Sequence, residues 1–333
     1  MNRNIFAIDH GNYSIKTTKV TFPCGLSKEK YEPYDDANYI FYNDAYYTLR
    51  PFSQEYLKDK TVNENYLIYT LFGACKQHFE YGALNFNAPI TLAIGLPPDH
   101  LQTRKQNYID YFKKAMGGKG IDFRYGKKKI HLTVDEVKVY PQGHAAAYAY
   151  SPKVNKSGEK IVKNRLLNQV EDYTICDIGG ITVDIIPFVG RKRSSNGTKT
   201  VELGINTLIG KILRNVELNT SIYLNYHQIE KYLLNKTASK KVAINIPDEC
   251  IETIEETIDI HVNDILSVLS QEIGDLRAAT VIFMGGGSIL LKPYILNALV
   301  TNKEFVDFIE EDKANAIGYE MIARDQLKVK GGN

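Results

Sequence analysis

The sequence predicts an α/β protein built from two similar domains. Short apolar runs typical of buried strands alternate along the 333-residue chain with segments of helical spacing. One local pattern occurs twice: an apolar strand ends in Asp-x-Gly and a second strand follows directly, first at Asp9 and again at Asp177, about half the chain apart. The length is that of about two ordinary domains. A repeat at this separation indicates that each domain opens with the same hairpin.

The second hairpin, residues 173–188, has a polar tip formed by Asp177, Ile178, Gly179 and Gly180. Paired glycines permit positive φ, so this turn can present backbone N–H groups outward. A carboxylate beside such amides can hold a hydrated Mg²⁺ while the amides hold a phosphate. The structural alternative, for either copy taken alone, is an Asx-turn in an ordinary hairpin.

The two hairpins align residue by residue. The matched pairs are Asp9 with Asp177, Gly11 with Gly179, Ser14 with Thr182, and Ile15 with Val183. Lys16 falls where Asp184 stands in the second copy. We therefore expect a phosphate-facing hairpin at the start of each domain, with His10 pointing to solvent.

Apolar spacing and turn residues predict the remaining elements. Residues 22–60 are predicted to form loops with short strands. Helices are predicted over 67–79, 99–116 with Asp99 as the N-cap, 144–150, 202–213, 226–234, 251–273, 289–300 and 312–326. Strands are predicted over 5–8, 14–21, 89–94, 121–140 as a pair, 137–140 and 280–284. The polar segment 151–160 is the best candidate for a domain junction.

Gly285, Gly286, Gly287 and Ser288 lie between a buried strand and an apolar helix. Glycines let a ligand approach the backbone, and a helix N-terminus favours negative charge. The stretch lacks the Gly-Lys-Ser/Thr of a Walker A loop and does not match Gly-x-Gly-x-x-Gly. Tight packing of the glycines is the structural alternative.

Composition limits the partners. The net charge of +2 gives no general attraction to nucleic acid or to an acidic membrane. Cys24, Cys75, Cys176 and Cys250 are far apart and form no Cys-x-x-Cys, which predicts reduced thiols, no zinc site and a cytoplasmic protein. The N-terminus has no signal-peptide core, and no window approaches the ~18 uninterrupted apolar residues of a membrane helix.

The order of these motifs is far more specific than any one of them. The two Asp-x-Gly hairpins, the Pro-Gln-Gly at 141–143 before a small-residue helix, the Gly-Gly-Gly-Ser stretch and a final Ala-Asn-Ala-x-Gly helix follow one another along the chain. This order resembles the actin, Hsp70 and sugar-kinase superfamily, and within it the bacterial actin-like ATPases of the ParM/StbA plasmid-segregation family. The resemblance implies two ribonuclease-H-like (actin-like) domains flanking a nucleotide cleft, with residues 1–155 plus 314–333 in the first and 156–313 in the second.

The resemblance also implies roles for individual residues. Asp9, Asp177 and Gln142 would be catalytic, with both aspartates holding Mg²⁺ through water and Gln142 positioning the attacking water. The residues that would bind ATP, or GTP as the alternative, are Gly11, Asn12, Tyr13, Ser14 and Lys16 in the first phosphate loop, Gly179, Gly180, Ile181 and Thr182 in the second, and Gly285, Gly286, Gly287 and Ser288 at the adenosine. Gly143 with its helix, and Ala314–Gly318, would be the two hinge crossings.

The implied activity is slow, because a neutral glutamine is a weak base, and slow hydrolysis suits a nucleotide-timed switch. The resemblance implies a filament of the protein itself and a small DNA-binding adaptor on a centromere-like plasmid site, with no direct contact to nucleic acid. A shape-determining filament is the nearest rival function. A small-molecule kinase is a more distant one, for which Asp184 would be the candidate base, and an Hsp70-like chaperone has no room for a peptide-binding domain.

Overall fold

The computed structural model describes residues 4–34, 38–50, 59–151, 153–154, 160–161, 164–194, 197–237, 241–277, 279–299 and 303–330. The chain divides into two compact units: unit 1 comprises Met1–Ala149 with Lys313–Asn333, and unit 2 comprises Tyr150–Asp312. Most of the junction predicted at 151–160 and the last residues of the C-terminal tail, 331–333, lie outside the described residues.

The elements are numbered in chain order. The helices are α1 (Asn65–Tyr81), α2 (Pro98–Met116), α3 (His144–Tyr150), α4 (Arg165–Gln169), α5 (Ile205–Thr220), α6 (Tyr226–Thr237), α7 (Ile251–Ile273), α8 (Gly286–Ala298) and α9 (Ala314–Lys330). The strands of unit 1 are β1 (Ile5–His10), β2 (Ser14–Thr17), β3 (Thr21–Pro23), β4 (Leu26–Glu29), β5 (Ile40–Tyr42), β6 (Ala45–Leu49), β7 (Ile90–Leu96), β8 (Ile121–Tyr125), β9 (Lys128–Leu132) and β10 (Val134–Pro141). The strands of unit 2 are β11 (Lys153–Val154), β12 (Lys160–Ile161), β13 (Tyr173–Ile178), β14 (Val183–Val189), β15 (Lys192–Arg193), β16 (Lys199–Val201), β17 (Val281–Met284) and β18 (Val306–Phe308). Over the described ranges, no helix has the length and apolar character needed to cross a bilayer.

The central sheet of unit 1 has the strand order β10-β7-β1-β2-β3. β1, β2 and β3 form an antiparallel meander, whereas β7 runs parallel to β1 and β10 runs parallel to β7. Every residue of β1 and β7 is buried, as expected for strands covered on both faces. The carboxyl ends of β1, β7 and β10 therefore lie at the same edge of this sheet.

The sheet of unit 2 repeats this arrangement. Its order is β15-β14-β13-β17-β18, with β16 also paired to β14. β13 and β14 form the antiparallel hairpin, and β17 and β18 continue in parallel. Asp9 pairs with Lys16 across the first hairpin, and Asp177 pairs with Asp184 across the second, so the repeat read from the sequence is present in the fold and in register.

Unit 1 contains a second, antiparallel sheet with the order β4-β6-β5-β8-β9. Much of it comes from residues 22–60, for which only loops with short strands were predicted. The predicted strand pair over 121–140 is three strands, because β8 and β9 form a hairpin that turns at Gly126, where φ is 55°, and β10 then joins the central sheet.

Several predicted helix boundaries are wrong for local reasons. Asp99 is not the N-cap of α2, because Pro98 already occupies the first helical position, where its missing N–H costs nothing. The helix predicted from residue 202 begins at Ile205, after the cap residue Gly204. The helix predicted from residue 289 begins at Gly286, so the glycine stretch contributes to its first turn. The helix predicted over 251–273 is confirmed at both ends as α7.

Glycines allow α9 to pack closely inside unit 1. A Cβ on Gly318 would lie 1.9 Å from the carbonyl oxygen of Ala145 in α3. A Cβ on Gly95 would lie 1.9 Å from the hydroxyl of Tyr319, which is fully buried in α9. Because neither backbone position has room for a methyl group, these two glycines fix α9 against α3 and against the end of β7.

Gly318→Ala is expected to lower the free energy of unfolding by about 1–3 kcal/mol, because the added methyl group must displace the α3 backbone. Gly210→Ala is the matched control: Gly210 lies in α5, and a Cβ there would meet nothing within 4 Å. Helix propensity should make the control as stable as the wild type or more stable, by up to about 1 kcal/mol. Denaturant unfolding of both variants tests this, and equal stability of the two would contradict the packing account.

Candidate functional site

Asp9 and Gln142 meet at the sheet edge of unit 1. Asp9 is near the end of β1 and only 4% exposed, and its Oδ1 accepts a hydrogen bond of 2.8 Å from Nε2 of Gln142. Tyr319 also donates its hydroxyl to this carboxylate, at 3.5 Å. Because a carboxylate only accepts, the amide group of Gln142 must face Asp9, which leaves Oε1 of Gln142 as an acceptor for another group. The structure thus brings together two of the three residues predicted to be catalytic.

Backbone contacts fix the position of Gln142. Its N–H donates to the carbonyl of Leu96 at 2.9 Å, which ties the end of β10 to the end of β7. The next residue, Gly143, has a φ of 69°, a conformation that glycine adopts without strain. The N–H of Gly143 donates to Oδ1 of Asn315, at 2.9 Å, and Asn315 is itself buried in the first turn of α9. Asn315 is a positioning residue that the sequence analysis placed only within a hinge.

The first predicted phosphate loop turns tightly after Asp9. A Cβ on Gly11 would lie 2.5 Å from the carbonyl oxygen of Ser14, so this turn has room only for glycine. The carbonyl of Tyr13 accepts from the N–H of Cys24 at 3.0 Å, which anchors the turn to the end of β3. Lys16 lies opposite Asp9 in the β1–β2 pair, and directly paired residues share a sheet face.

His10 is fully buried, so the prediction that it points to solvent is wrong. Its Nε2 lies 2.9 Å from Oγ1 of Thr70 and its Nδ1 lies 2.7 Å from the hydroxyl of Tyr108. Thr70 donates its own hydroxyl to the carbonyl of Tyr66, so Oγ1 of Thr70 accepts from Nε2–H of His10, and the hydroxyl of Tyr108 donates to Nδ1. The ring also stacks on Phe112, with centroids 5.6 Å apart. These partners satisfy a neutral imidazole completely.

Lys60 is a second residue of this network that sequence reasoning missed. It is 9% exposed, and its Nζ donates to the backbone carbonyl of His10, within the first loop. The ammonium group also lies 5.3 Å from the ring centroid of Tyr66. Burial, and then the charge of Lys60, hold the pKa of His10 well below its usual range. Lys60 lies within a polar segment predicted to be loops, and no local pattern singles it out.

The second predicted phosphate loop is held from behind by the start of α5. The N–H groups of Gly204, Ile205 and Asn206 donate to the carbonyls of Ile181, Gly179 and Gly180, at 2.8, 3.1 and 2.7 Å respectively. A Cβ on Gly204 would lie 2.4 Å from the carbonyl carbon of Ile181, so α5 approaches the loop as closely as backbone allows. The loop carbonyls are therefore occupied on the α5 side.

The amides of the same loop have a different environment. Gly179 closes the turn by donating to the carbonyl of Thr182 at 2.8 Å. Neither Gly179 nor Gly180 has a positive φ, contrary to the conformation expected for this turn. Within the described ranges, no acceptor is hydrogen-bonded to the N–H groups of Gly180, Ile181 or Thr182. A row of backbone donors of this kind is suited to an anion.

The glycine stretch after β17 has both tight and open positions. A Cβ on Gly285, where φ is 87°, would lie 2.3 Å from Oδ1 of Asp177. A Cβ on Gly287 would lie 2.6 Å from the side chain of Ile178. These two glycines therefore pack on the end of β13, whereas a Cβ on Gly286 would meet nothing within 4 Å. Ser288 is buried and donates its hydroxyl to the carbonyl of Gly285 at 2.9 Å, so its side chain supports the loop from inside.

Asp177 and Asp184 differ in environment although they pair across the hairpin. Asp177 is partly exposed beside Gly285, whereas Asp184 is 6% exposed and accepts from the hydroxyl of Thr200 at 2.5 Å. Burial, and then these two carboxylates, raise the pKa of the Cys176 thiol, which keeps it protonated. No cluster of three His, Cys, Asp or Glu suited to a metal is present in the residues that the structure describes. A divalent cation held here would take most of its ligands from water and from phosphate oxygens, as Mg²⁺ usually does.

One comparison with known proteins matches part of unit 2, and others match nearly the whole chain. The family model for the C-terminal part of archaeal MreB-like actin homologues matches residues 175–296. The structure of a 15-stranded ParM filament from Clostridium botulinum aligns with a TM-score of 0.72 at 18% identity, over 98% of this chain and 100% of that chain. The chain has an actin-like fold. The fold class predicted from the sequence, and the resemblance to actin-like proteins, are thereby confirmed.

Two other actin-like structures were solved with nucleotides. An archaeal actin homologue in complex with ADP aligns with a TM-score of 0.67 at 14% identity, over 97% of this chain and 99% of that chain. ParM from Bacillus thuringiensis with AMPPNP aligns with a TM-score of 0.64 at 15% identity, over 98% of this chain and 100% of that chain. No match is found among curated protein sequences. At these identities the alignments establish the fold alone.

The buried neutral His10 predicts a loss of stability in mild acid. The pKa of His10 is lower in the folded chain than in the unfolded chain, where it is about 6.5. Above about pH 6.5 the residue costs no stability. As the pH falls below about 6.5 the unfolded chain binds a proton that the folded chain does not, and the free energy of unfolding decreases. Between pH 7.5 and 5.5 this residue should cost about 1.4 kcal/mol of unfolding free energy.

His10→Gln is the comparison variant, since glutamine does not titrate. Urea unfolding of both proteins at the two pH values should show the smaller pH dependence in the variant. His261, whose pKa burial lowers to about 4, is present in both proteins and cancels in the difference. An identical pH dependence in the two proteins would show that His10 is not buried and neutral.

Proposed function

We propose that this actin-like protein is a slow, Mg²⁺-dependent ATPase whose nucleotide state controls its assembly into cytoplasmic filaments. The observation that carries the proposal is the hydrogen bond between buried Asp9 and partly exposed Gln142, since Asp9 would be the carboxylate that holds the metal and Gln142 the amide that orients the water. The second loop has its carbonyls engaged by α5, and among the described residues the N–H groups of Gly180, Ile181 and Thr182 have no acceptor, an arrangement that suits the binding of phosphates. The actin-like relatives that contain ADP and AMPPNP support a nucleotide as the ligand.

Each loop has a distinct role in the proposal. The residues that hold the phosphates are Gly11, Asn12, Tyr13, Ser14 and Lys16 in the first loop, and Gly179, Gly180, Ile181 and Thr182 in the second. Gly286 offers the open approach to the adenosine, while Gly285 and Gly287 keep the start of α8 close to β13 and Ser288 braces it. Asp9 and Asp177 would hold Mg²⁺ through water, and the ion would neutralise charge on the phosphates.

In this proposal the side chain of Gln142 orients the water molecule that attacks the phosphate. With its amide group donating to Asp9, Gln142 has Oε1 available to accept a proton of the attacking water. The amide is not a base at neutral pH, so it orients the water without taking its proton, and turnover should be slow. Lys16 and the loop amides stabilise the charge that develops on the transferred phosphoryl group.

Assembly into a polymer is supported by the relatives. The filament structure of the Clostridium botulinum ParM supports self-association of the same fold. Among filament functions we propose plasmid DNA segregation, with a small DNA-binding adaptor linking the filament to a centromere-like site. A shape-determining filament is the nearest rival. The kinase alternative is disfavoured by Asp184, its candidate base, because that carboxylate is buried and already bonded to Thr200.

Light scattering and negative-stain electron microscopy of micromolar protein with Mg²⁺ and ATP, GTP or AMPPNP test the proposal directly. Filaments that form with ATP and AMPPNP, and that disassemble after ATP is consumed, are the expected result. Hydrolysis that stays negligible until a small-molecule acceptor is added would instead establish a kinase. The absence of both polymer and hydrolysis with every nucleotide would overturn the proposal.

Gln142→Ala is expected to slow phosphate release about 10²-fold or more, with nucleotide affinity within a few-fold of wild type and polymer that lasts longer. Asp177→Ala should also slow hydrolysis strongly and should raise the Mg²⁺ concentration needed for it. Exposed Gln102 in α2 provides the matched control, Gln102→Ala, which should behave as wild type. Phosphate release by Gln142→Ala at the wild-type rate would refute the role assigned to Gln142.

A further inference from the structure

A groove in unit 1 lies between the end of α1 and the edge strand β9. Its volume is about 540 Å³, and its principal side chains are His78, Phe79, Phe86, Lys128, Lys129 and His131. Phe79 is 37% exposed although it stacks on Tyr125, with ring centroids 5.7 Å apart. The floor of the groove is thus apolar and aromatic, and one aromatic ring remains accessible.

The rim of this groove is basic. Lys127, Lys128 and Lys129 follow one another at the β8–β9 turn, and all three are exposed. Nζ of Lys128 lies 4.0 Å from the ring centroid of Phe79. None of the three lysines has an acidic partner within the described part of the chain, whereas His131 is already paired with Asp122 at 2.9 Å. Lys128 and Lys129 therefore line the groove beside an accessible aromatic surface, and Lys127 precedes them in the turn.

An acidic stripe with the complementary character runs along α7 in unit 2. Glu252, Glu256 and Asp259 are exposed on one face of the helix, and Ile260, in the same stripe, is 61% exposed. The opposite face is buried in the core of unit 2. Lys236 pairs with Glu255 and not with the stripe, and the structure gives the three stripe carboxylates no ion pair among its described residues.

Folding alone does not explain the stripe. Glu252 lies in the first turn of α7, where the helix dipole favours a carboxylate. Glu256 and Asp259 lie beyond that turn, and Glu256 is four residues from Glu252, a spacing at which like charges repel. A cationic, aromatic partner would offset the repulsion between these carboxylates and would cover the exposed Ile260.

We propose that the basic groove of one copy of the chain receives the acidic stripe on α7 of another copy. The two surfaces match in length: residues 252–260 span about 12 Å of helix, and residues 127–131 span about 13 Å of extended chain. In this contact Ile260 packs against Phe79 and Phe86, and the lysines pair with Glu252, Glu256 and Asp259. A second copy is favoured over an unrelated acidic partner because one sequence carries both complementary surfaces.

The symmetry of the contact leads to a polymer. The groove and the stripe are different surfaces, so their contact is heterologous, and each added copy leaves one groove and one stripe free. Such contacts propagate into open filaments unless the rotation between copies closes a ring. The inference rests on the proposed function for its nucleotide dependence, and it identifies the two surfaces through which copies join.

Charge reversal tests the contact. The groove variant is Lys128→Glu with Lys129→Glu, and the stripe variant is Glu252→Lys with Glu256→Lys. Each variant alone should have a critical concentration for sedimentation with Mg²⁺ and AMPPNP at least 10-fold above wild type. An equimolar mixture should assemble again, because the reversed groove fits the reversed stripe and the two unaltered surfaces still fit each other, which gives an alternating polymer.

Two controls carry the same changes of charge elsewhere. Lys113→Glu with Lys114→Glu alters exposed lysines of α2, and Glu217→Lys with Glu304→Lys alters exposed acids of unit 2. Both should assemble as wild type, and neither should be rescued or changed by mixing. Circular dichroism and nucleotide affinity should be unchanged in all four variants, which separates loss of the contact from loss of folding or of nucleotide binding.

Sedimentation-velocity ultracentrifugation keeps the contact testable if the proposed function fails. When wild-type protein forms no filament with any nucleotide, the mixture of groove and stripe variants should still associate at 100 µM, about 10-fold more tightly than either variant with itself. Folded variants that assemble as wild type when alone would overturn the inference. So would a mixture that associates no better than its components.

Discussion

The parallel pairing of β1, β7 and β10 is the constraint on which the candidate site depends. It brings the end of β1, with Asp9, and the end of β10, with Gln142, to the same edge of one sheet, although the two residues are 133 positions apart in the chain. The hydrogen bond from Gln142 to the carbonyl of Leu96 adds the end of the middle strand. A pair of side chains fixed by a sheet register needs no flexible loop to bring it together, which is the accuracy that the proposed orientation of water requires.

The two units of the protein share one hairpin architecture but carry different side chains at equivalent positions. In each hairpin the aspartate at the end of the first strand faces a charged residue of the next strand, which is Lys16 in unit 1 and Asp184 in unit 2. The first hairpin therefore provides a cation beside its carboxylate. The second places the buried carboxylate of Asp184 opposite Asp177, and the start of α5 donates to the carbonyls of its loop. A repeated fold supports distinct roles because strand register and side-chain identity vary independently.

The sequence predicts the hairpins, the strand–glycine–helix unit and α7 correctly because the pattern that specifies each element lies in residues close together in the chain. It placed His10 in solvent because the groups that bury it, Thr70, Tyr108 and Phe112, come from segments 60 to about 100 residues away. The sequence does not single out Lys60 either, because its partner, the carbonyl of His10, lies 50 residues away in the chain. For the glycines at 285 and 287 the structure shows the tight packing that was the alternative to ligand approach, and this packing comes from contact with β13, which only the sheet register reveals.

A short chain of contacts connects α7 to the second loop within unit 2. His261, the residue after the exposed Ile260, donates through Nε2 to the carbonyl of Leu203 at 3.0 Å. Leu203 precedes Gly204, whose N–H donates to the carbonyl of Ile181 in the loop at 2.8 Å. A Cβ on Gly204 would lie 2.4 Å from the carbonyl carbon of Ile181, so this segment packs closely against the loop backbone. The helix that carries the acidic stripe is therefore joined by a side-chain hydrogen bond to the residue just before the start of α5, and the start of α5 in turn donates to the loop carbonyls.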